Sequence, residues 1–386
     1  MDVNAAPSRM LRFLSVCVVY APETNVLNCI SIYAVGKRHT GSFMVTTSFM
    51  RKETIEASAV VSRLLTEEAA TIAAIKRLYE ERKPRVITTA ARGSSDHAAS
   101  FFKYLFEISV GLPVASIGPS VTSVYNSRLQ LQDGLHFTVS QSGASPDIVA
   151  LQRAAKQGGA ITVALVNVTD SPLAQQADIV LGLHAGKEQS VAATKSCIAG
   201  ATALAAITAA ISDDSALQAA LTRLPQALDA TTSAPIDEAL ITKLASIEGM
   251  YVVGRGTGFA VALEAALKAK ETCGIHAEAF SLAEVMHGPI RLVHSGFPVL
   301  TFLNEDEAFS ASNQAVDRLV GLGADVIAIS ARSAQHKAIG ITPTGHGLID
   351  PLVGLGAYYG LIERVALARG FDPDKPMNLS KVTETV

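Results

Sequence analysis

Tryptophan is absent from this chain, and aromatic residues together make up only 5% of its 386 positions. Cysteine is almost as scarce. Cys17, Cys29, Cys197 and Cys273 are the only four, with no CxxC spacing among them. A disulfide framework or a structural zinc site is therefore not expected, and a reducing compartment fits. An excess of one charge is missing too: 32 Lys and Arg face 35 Asp and Glu, a net charge of −3. That balance leaves no electrostatic footprint for nucleic acid or an anionic membrane. Long apolar runs are also lacking, since no stretch approaches the roughly 18–20 consecutive apolar residues that span a bilayer. What is present is 49% hydrophobic and 17% charged residues, which excludes disorder and calls for a substantial core. At about 150 residues per domain the length suggests two domains, or one large domain plus a tail. The abundance of Ala, Val, Leu and Gly reads as a soluble, cytoplasmic α/β enzyme.

Residues 1–50 stand apart as an N-terminal extension. They hold a basic start (Arg9, Arg12) and a short apolar run from Leu14 to Tyr20. A signal peptide is one reading, against which stand the short run and the lack of a small-residue cleavage site. The other is a non-conforming segment upstream of a start at Met44 or Met50. From Arg51 onward the pattern becomes regular, and it repeats. Arg92-Gly93 lies over Arg255-Gly256 at an offset of 163, and Leu135–Val139 falls on Pro298–Phe302. GGAITVAL (158–165) falls on LGADVIAI (322–329) at an offset of 164. Two copies of one α/β unit are expected, over 51–225 and 226–386. Strand candidates are Val86–Thr89, Val114–Ser116, Phe137–Val139, Ile161–Leu165 and Ile179–Gly182, then Tyr251–Val253, Val299–Phe302 and Val326–Ile329. Strands alternating with helices imply parallel sheets, whose ligands bind beyond the carboxyl ends of the strands.

Two such ends are rich in serine. Gly93-Ser94-Ser95 follows the first strand, and Ser140-Gln141-Ser142-Gly143-Ala144-Ser145 follows the third, each leading into a helix. Hydroxyls and free N–H groups at a helix N-terminus suit a phosphate, although serine also serves as a plain cap. Neither loop is a Walker loop or a GxGxxG fingerprint, so a nucleotide is disfavoured. The second copy has the acidic Asn304-Glu305-Asp306-Glu307 at the equivalent place, which predicts one phosphate site per chain. Gly258–Gly274 reads as a helix carrying Glu264, Lys268 and Glu271 on one face. That stripe is either a solvated salt-bridge ladder or, given its apolar flanks, a buried acid–base set. His276, Glu278, Glu284 and His287 follow, with no HxxxH or HExxH spacing for a metal. Lys381 lies near the end, where a lysine is either a tail charge or, under a folded tail, a Schiff-base former.

Together, ARGSSDHAA, SQSGASPD, AGKEQSVAATK, ALEAALKAKETCGIHAEAFSLAEVMHGP and NLSKVTETV resemble the double-SIS sugar isomerase family, from about residue 55 to the end. The likeness is to the isomerase half of glutamine–fructose-6-phosphate aminotransferases and to SIS-type glucosamine-6-phosphate deaminases. It implies two tandem flavodoxin-like SIS subdomains, each a parallel sheet with flanking helices, and no metal or organic cofactor. It implies that Ser94, Ser95, Ser140, Gln141, Ser142 and Ser145 bind the sugar phosphate and its hydroxyls, with Val191 and Lys195 in a further sugar-contacting loop. Glu271 becomes the base that moves a proton between C1 and C2, assisted by Lys268 and Glu264. Lys381 would meet the open-chain sugar. His287 would open the ring from the neighbouring subunit of a homodimer. Two positions depart from the pattern, Ala193 for a serine and Ala144 for an acidic residue. No glutaminase domain and no cysteine after Met1 are seen, so the resemblance implies deamination of glucosamine 6-phosphate rather than synthesis from glutamine. Alternatives are another phosphorylated amino sugar, such as galactosamine 6-phosphate or fructosamine 6-phosphate, and a non-catalytic sugar-phosphate sensor. The sensor would have lost the acid–base set and gained a DNA-binding module.

Overall fold

The computed structural model describes residues 47–332 and 337–381. The expectations for residues 1–46 lie outside them. Two helices open the described chain, α1 (Phe49–Glu67) and α2 (Ala69–Arg82). The first repeat follows as β1 (Ile87–Ala90), α3 (Ser94–Val110), β2 (Val114–Ser116), α4 (Ser120–Ser123), β3 (Leu135–Ser140), α5 (Pro146–Gln157), β4 (Ile161–Val166), α6 (Pro172–Gln176) and β5 (Ile179–Gly182). Three helices connect the repeats: α7 (Lys195–Ile211), α8 (Ser215–Thr232) and α9 (Glu238–Ala245). The second repeat runs β6 (Gly249–Gly254), α10 (Thr257–Cys273), β7 (His276–Ser281), β8 (Pro298–Leu303), α11 (Phe309–Gly321), β9 (Asp325–Ser330) and β10 (Lys337–Gly340), then α12 (Asp350–Ala368).

Every strand pair is parallel, in two five-stranded sheets ordered β2-β1-β3-β4-β5 and β10-β9-β8-β6-β7. Laying β6–β10 over β1–β5 gives one order, 2-1-3-4-5, the flavodoxin-like arrangement. Central strands such as β3 are buried along their whole length, as parallel strands covered on both faces must be. The repeat extends to backbone detail. Gly93 and Gly256, 163 residues apart, precede α3 and α10 with φ of +53° and +58°. Only glycine takes that conformation without strain, so each first turn can close directly behind its strand.

Two strands escaped the sequence reading. The segment His276-Ala277-Glu278, which follows the helix of Glu264, Lys268 and Glu271, is the start of edge strand β7, where His276 and Glu278 are exposed. The short β10 pairs with β9 on the far edge. The expected division at 225/226 falls inside α8, which continues through Pro225. One apolar cluster joins Phe137 and Val139 of β3 to Phe302 of β8 and Ile327 of β9 through the central helices. Helix α1 packs on α7, α8 and α12, so it belongs to both halves. Among the described residues no helix is long and apolar enough to cross a membrane.

Candidate active site

The site forms where α3 and α10 meet. The Ala-rich α10 turns Glu264, Lys268 and Glu271 to one side, and that side is buried against α3 and α12. Lys268 is fully buried. Its Nζ lies 3.3 Å from Glu264 Oε1, donates to Ser94 Oγ at 3.1 Å and bonds directly to Glu271 Oε2. Burial opposes the Lys268 charge, but Glu264 and Glu271 overcome it and hold the amine above its ordinary value. Burial likewise opposes ionisation of Glu264, yet Lys268 and His97 pull its carboxyl below the usual range. Glu264 has two further partners: His97 Nδ1 at 2.7 Å from Oε2 and the Tyr359 hydroxyl at 3.0 Å from Oε1. The stripe is thus a buried ionic network rather than a solvated ladder. Glu271, with 22% of its side chain exposed, is the member that a substrate can reach.

The serine loops sit at the same end of the first sheet. Ser94 and Ser95 form the first turn of α3, and the Ser94 hydroxyl ties this loop to Lys268. In the second loop Ser140 Oγ accepts from the Gly143 N–H at 3.0 Å, and Ser142 Oγ accepts from Ala144 N–H at 3.4 Å. Ser145 precedes α5 without making a capping bond. Gly143 has φ +63°, and a Cβ there would lie 2.1 Å from Ser171 Oγ. Arg92 clamps the two loops together, donating Nε and Nη2 to Asp147 Oδ2 at 3.0 and 2.7 Å. The Gln141 carbonyl accepts from Asn167 N–H. In the second copy the equivalent loop uses its polar groups internally: Asp306 caps the Ala308 N–H, and Glu305 pairs with Arg332.

A third wall is the loop of residues 188–196. Glu188 is buried, accepts from the N–H groups of Thr194 and Ser196 and from the Ser196 hydroxyl, and pairs with Lys381 Nζ at 2.9 Å. Burial works against the Glu188 charge, and Lys381 restores it, so the carboxyl stays below its usual range. Lys381 also donates to the Ser190 carbonyl at 2.7 Å, which folds the tail over this loop. Val191 N–H bonds to the Asp374 carbonyl at 3.1 Å. Lys195 is turned inward instead, its Nζ 2.6 Å from Glu56 and 2.8 Å from the Lys187 carbonyl. The wall meets α3 at Cys197, whose thiol donates to the Ser94 carbonyl at 3.3 Å.

His287 is not brought to this cluster. It ends a 3-10 turn, Glu284–His287, and lines a groove with Tyr104, Phe259 and Phe280. Four groups that the sequence reading did not single out belong to the site: His97, Tyr359, Glu188 and Arg92. His97 offered a signal, three residues after Ser94 on the same helix. Tyr359 sits in an apolar helix and offered none.

An SIS domain profile matches residues 80–210 and 243–338. The isomerizing glutamine–fructose-6-phosphate aminotransferase of Methanothermobacter thermautotrophicus is 33% identical over 343 residues, 86% of this chain and 57% of that protein. Its counterpart in Halobacterium salinarum is 35% identical over 305 residues, 75% of this chain and 50% of that protein. The chain spans about half the length of these curated relatives. A candidate phosphosugar isomerase from Silicibacter pomeroyi DSS-3 has a crystal structure similar at a TM-score of 0.80 and 42% identity, over 85% of this chain and all of that one. The glucosamine-6-phosphate deaminase of Thermotoga maritima shares the fold, at a TM-score of 0.66 and 20% identity over 88% and 100% of the two chains. With the profile matched in both repeats, and two sheets of one strand order, this chain belongs to the SIS-domain family, with two SIS domains in tandem.

Proposed function

We propose that the chain is an amino-sugar-phosphate isomerase that releases ammonia, converting glucosamine 6-phosphate to fructose 6-phosphate. The observation that carries this reading is Lys268, buried and bonded at once to the reachable carboxylate Glu271 and to Ser94 of a serine loop. A phosphate held by Ser95, Ser140, Gln141, Ser142 and Ser145 leaves the sugar's far end beside Glu271. Glu271 takes the C2 proton of the open-chain aldehyde, and an enolamine forms. Return of that proton to C1 gives the C2 imine, which water cleaves to the ketone and ammonia. Lys268 and Glu264 keep the charge of the base balanced through both transfers. Fixing the scarce open-chain form in place is itself a large part of the rate. Lys381, paired with Glu188, meets the sugar as a hydrogen-bond donor. Assembly as a homodimer belongs to the same reading, with the groove around His287 facing the partner's site. The sensor reading is disfavoured by an intact acid–base network.

The test incubates the protein with glucosamine 6-phosphate and follows ammonia and fructose 6-phosphate together, beside Glu271→Gln. Equal release of both products, falling at least about 100-fold in the variant, is expected. Ammonia from galactosamine 6-phosphate or fructosamine 6-phosphate alone moves the substrate. Silence on all three returns the protein to a sensor.

A further inference from the structure

A parallel sheet opens a crevice where neighbouring strands send their helices to opposite faces, and in the first sheet that point lies between β1 and β3. Helix α3 leaves β1 to pack on α7 and α10, whereas α5 leaves β3 to pack on α4 and α6. Each serine loop is tied to its own side. Ser94 is held by Lys268 and Cys197, while in the second loop Gln141 and Gly143 accept at their carbonyls from the N–H groups of Asn167 and Leu173. Arg92 and Asp147 cross the crevice. Nε and Nη2 of Arg92 donate to Asp147 Oδ2, and Oδ1 accepts from the Ile148 N–H at 2.8 Å, which fixes the carboxylate to the first turn of α5. The Asp147 side chain is fully buried and that of Arg92 half-exposed. The second repeat is a built-in comparison. Arg255 takes the place of Arg92, 163 residues on, but Ser310 takes that of Asp147, each being the second residue of its helix. There Arg255 accepts at its carbonyl from Gly258 N–H and Asn304 Nδ2, and makes no ion pair among the described residues. The clamp therefore accompanies the copy that kept the serine loops.

We propose that Arg92, acting through Asp147, is a positioning residue that sets the gap between the two serine loops and with it the affinity for the substrate's phosphate. The pair neutralises itself, so what it supplies is distance and direction rather than net charge. Two N–H groups of one planar guanidinium on one oxygen fix both, which a lysine with a single rotating ammonium cannot do. Glu271 is carried by α10 and does not depend on that gap, so proton transfer is separable from phosphate capture. The proposal rests on the phosphate placement given above, but not on the loss of nitrogen.

The experiment sets calorimetric binding of fructose 6-phosphate beside ammonia release from glucosamine 6-phosphate and the melting temperature. The full chain is compared with Arg92→Lys, Arg92→Met, Asp147→Asn and the double variant Arg92→Met with Asp147→Asn. Arg92→Met alone leaves a buried carboxylate without its cation and should melt several degrees lower, and the double variant, free of that charge, should regain most of the loss. Affinity should follow the clamp and not the stability. Kd and KM are expected to rise about tenfold in Arg92→Met, Asp147→Asn and the double variant alike, with Arg92→Lys between, while kcat changes less than about threefold. A merely structural role predicts instead that affinity recovers with stability in the double variant. That recovery, parental affinity in Arg92→Met, or a fall in kcat at unchanged KM each overturns the proposal. Binding that weakens as expected, without ammonia from the parent, would leave the clamp standing and remove the deaminase reading. A parent that binds no sugar phosphate removes both.

Discussion

At the scale of the residue, the decisive fact is a lysine without water. Lys268 is the hub of three polar groups, Glu264, Glu271 and Ser94, and removing one partner of a buried pair leaves the others uncompensated. Lys268→Met should cost about 3 kcal/mol in urea unfolding at neutral pH and at least about 100-fold in kcat. The sign of its pH dependence follows from Glu264. With a lowered carboxyl, the parent holds that group's contribution above the unfolded value and loses it as pH falls. In the variant Glu264 is no longer held ionised by an ammonium, so the stability deficit should narrow between pH 7 and pH 4. Gly143→Ala tests the serine loop, since the new methyl would collide with Ser171 Oγ at a positive φ. Expected is a rise in KM of about tenfold or more with a smaller change in kcat, and a stability loss of about 1–3 kcal/mol. The i, i+4, i+7 spacing made the α10 face legible in the sequence. Tyr359 and Glu188 were not, because what they touch lies 95 and 193 positions away. Pattern within one element cannot name a partner in another.

Among elements, β3 carries the clearest liability. His136, its second residue, is fully buried and bonded through Nδ1 to the Thr88 hydroxyl at 2.8 Å, with Nε2 unpartnered. Burial drives it down to about 4 from 6.5. A depressed histidine contributes stability above its unfolded value and loses it as pH falls through the folded one. Between pH 6.5 and 4 the parent should therefore lose about 3 kcal/mol that His136→Gln does not, read as a difference in slope of unfolding free energy against pH. The strands themselves were mostly legible, because buried parallel strands are β-branched runs with short ends. Edge strand β7 was not: only Ala277 is fully buried among its six residues, and it carries His, Glu and two Ala. Such a strand has half a core to face and half an apolar pattern to show.

In the whole molecule, two repeats share one core, and the shared helices decide where the chain can be divided. A cut at 225/226 severs α8 in mid-helix, whereas one at 234–236 passes between α8 and α9. Co-expressed halves cut at 234–236 should co-purify and regain near-parental helicity by circular dichroism, and halves cut at 225/226 should not. The constant offset near 163 told of two copies, but not that α1 would join both. That helix begins on the far end of the chain: the N–H groups of Phe49 and Met50 donate to the Asp374 carboxylate at 2.7 Å each, and Ser48 Oγ donates to Glu363. Farther along α1, Glu53 accepts from the backbone N–H groups of Gln189 and Ser190, beside the carboxylate that Lys381 neutralises. A ribosome adds residues in order, at about 5–20 per second. Until residues 374–381 have cleared its exit tunnel, Glu188 waits without its cation and the first N–H groups of α1 without the Asp374 carboxylate. The nascent chain can close its first sheet early, but the proposed site is completed only by residues 374–381, which are made after both sheets.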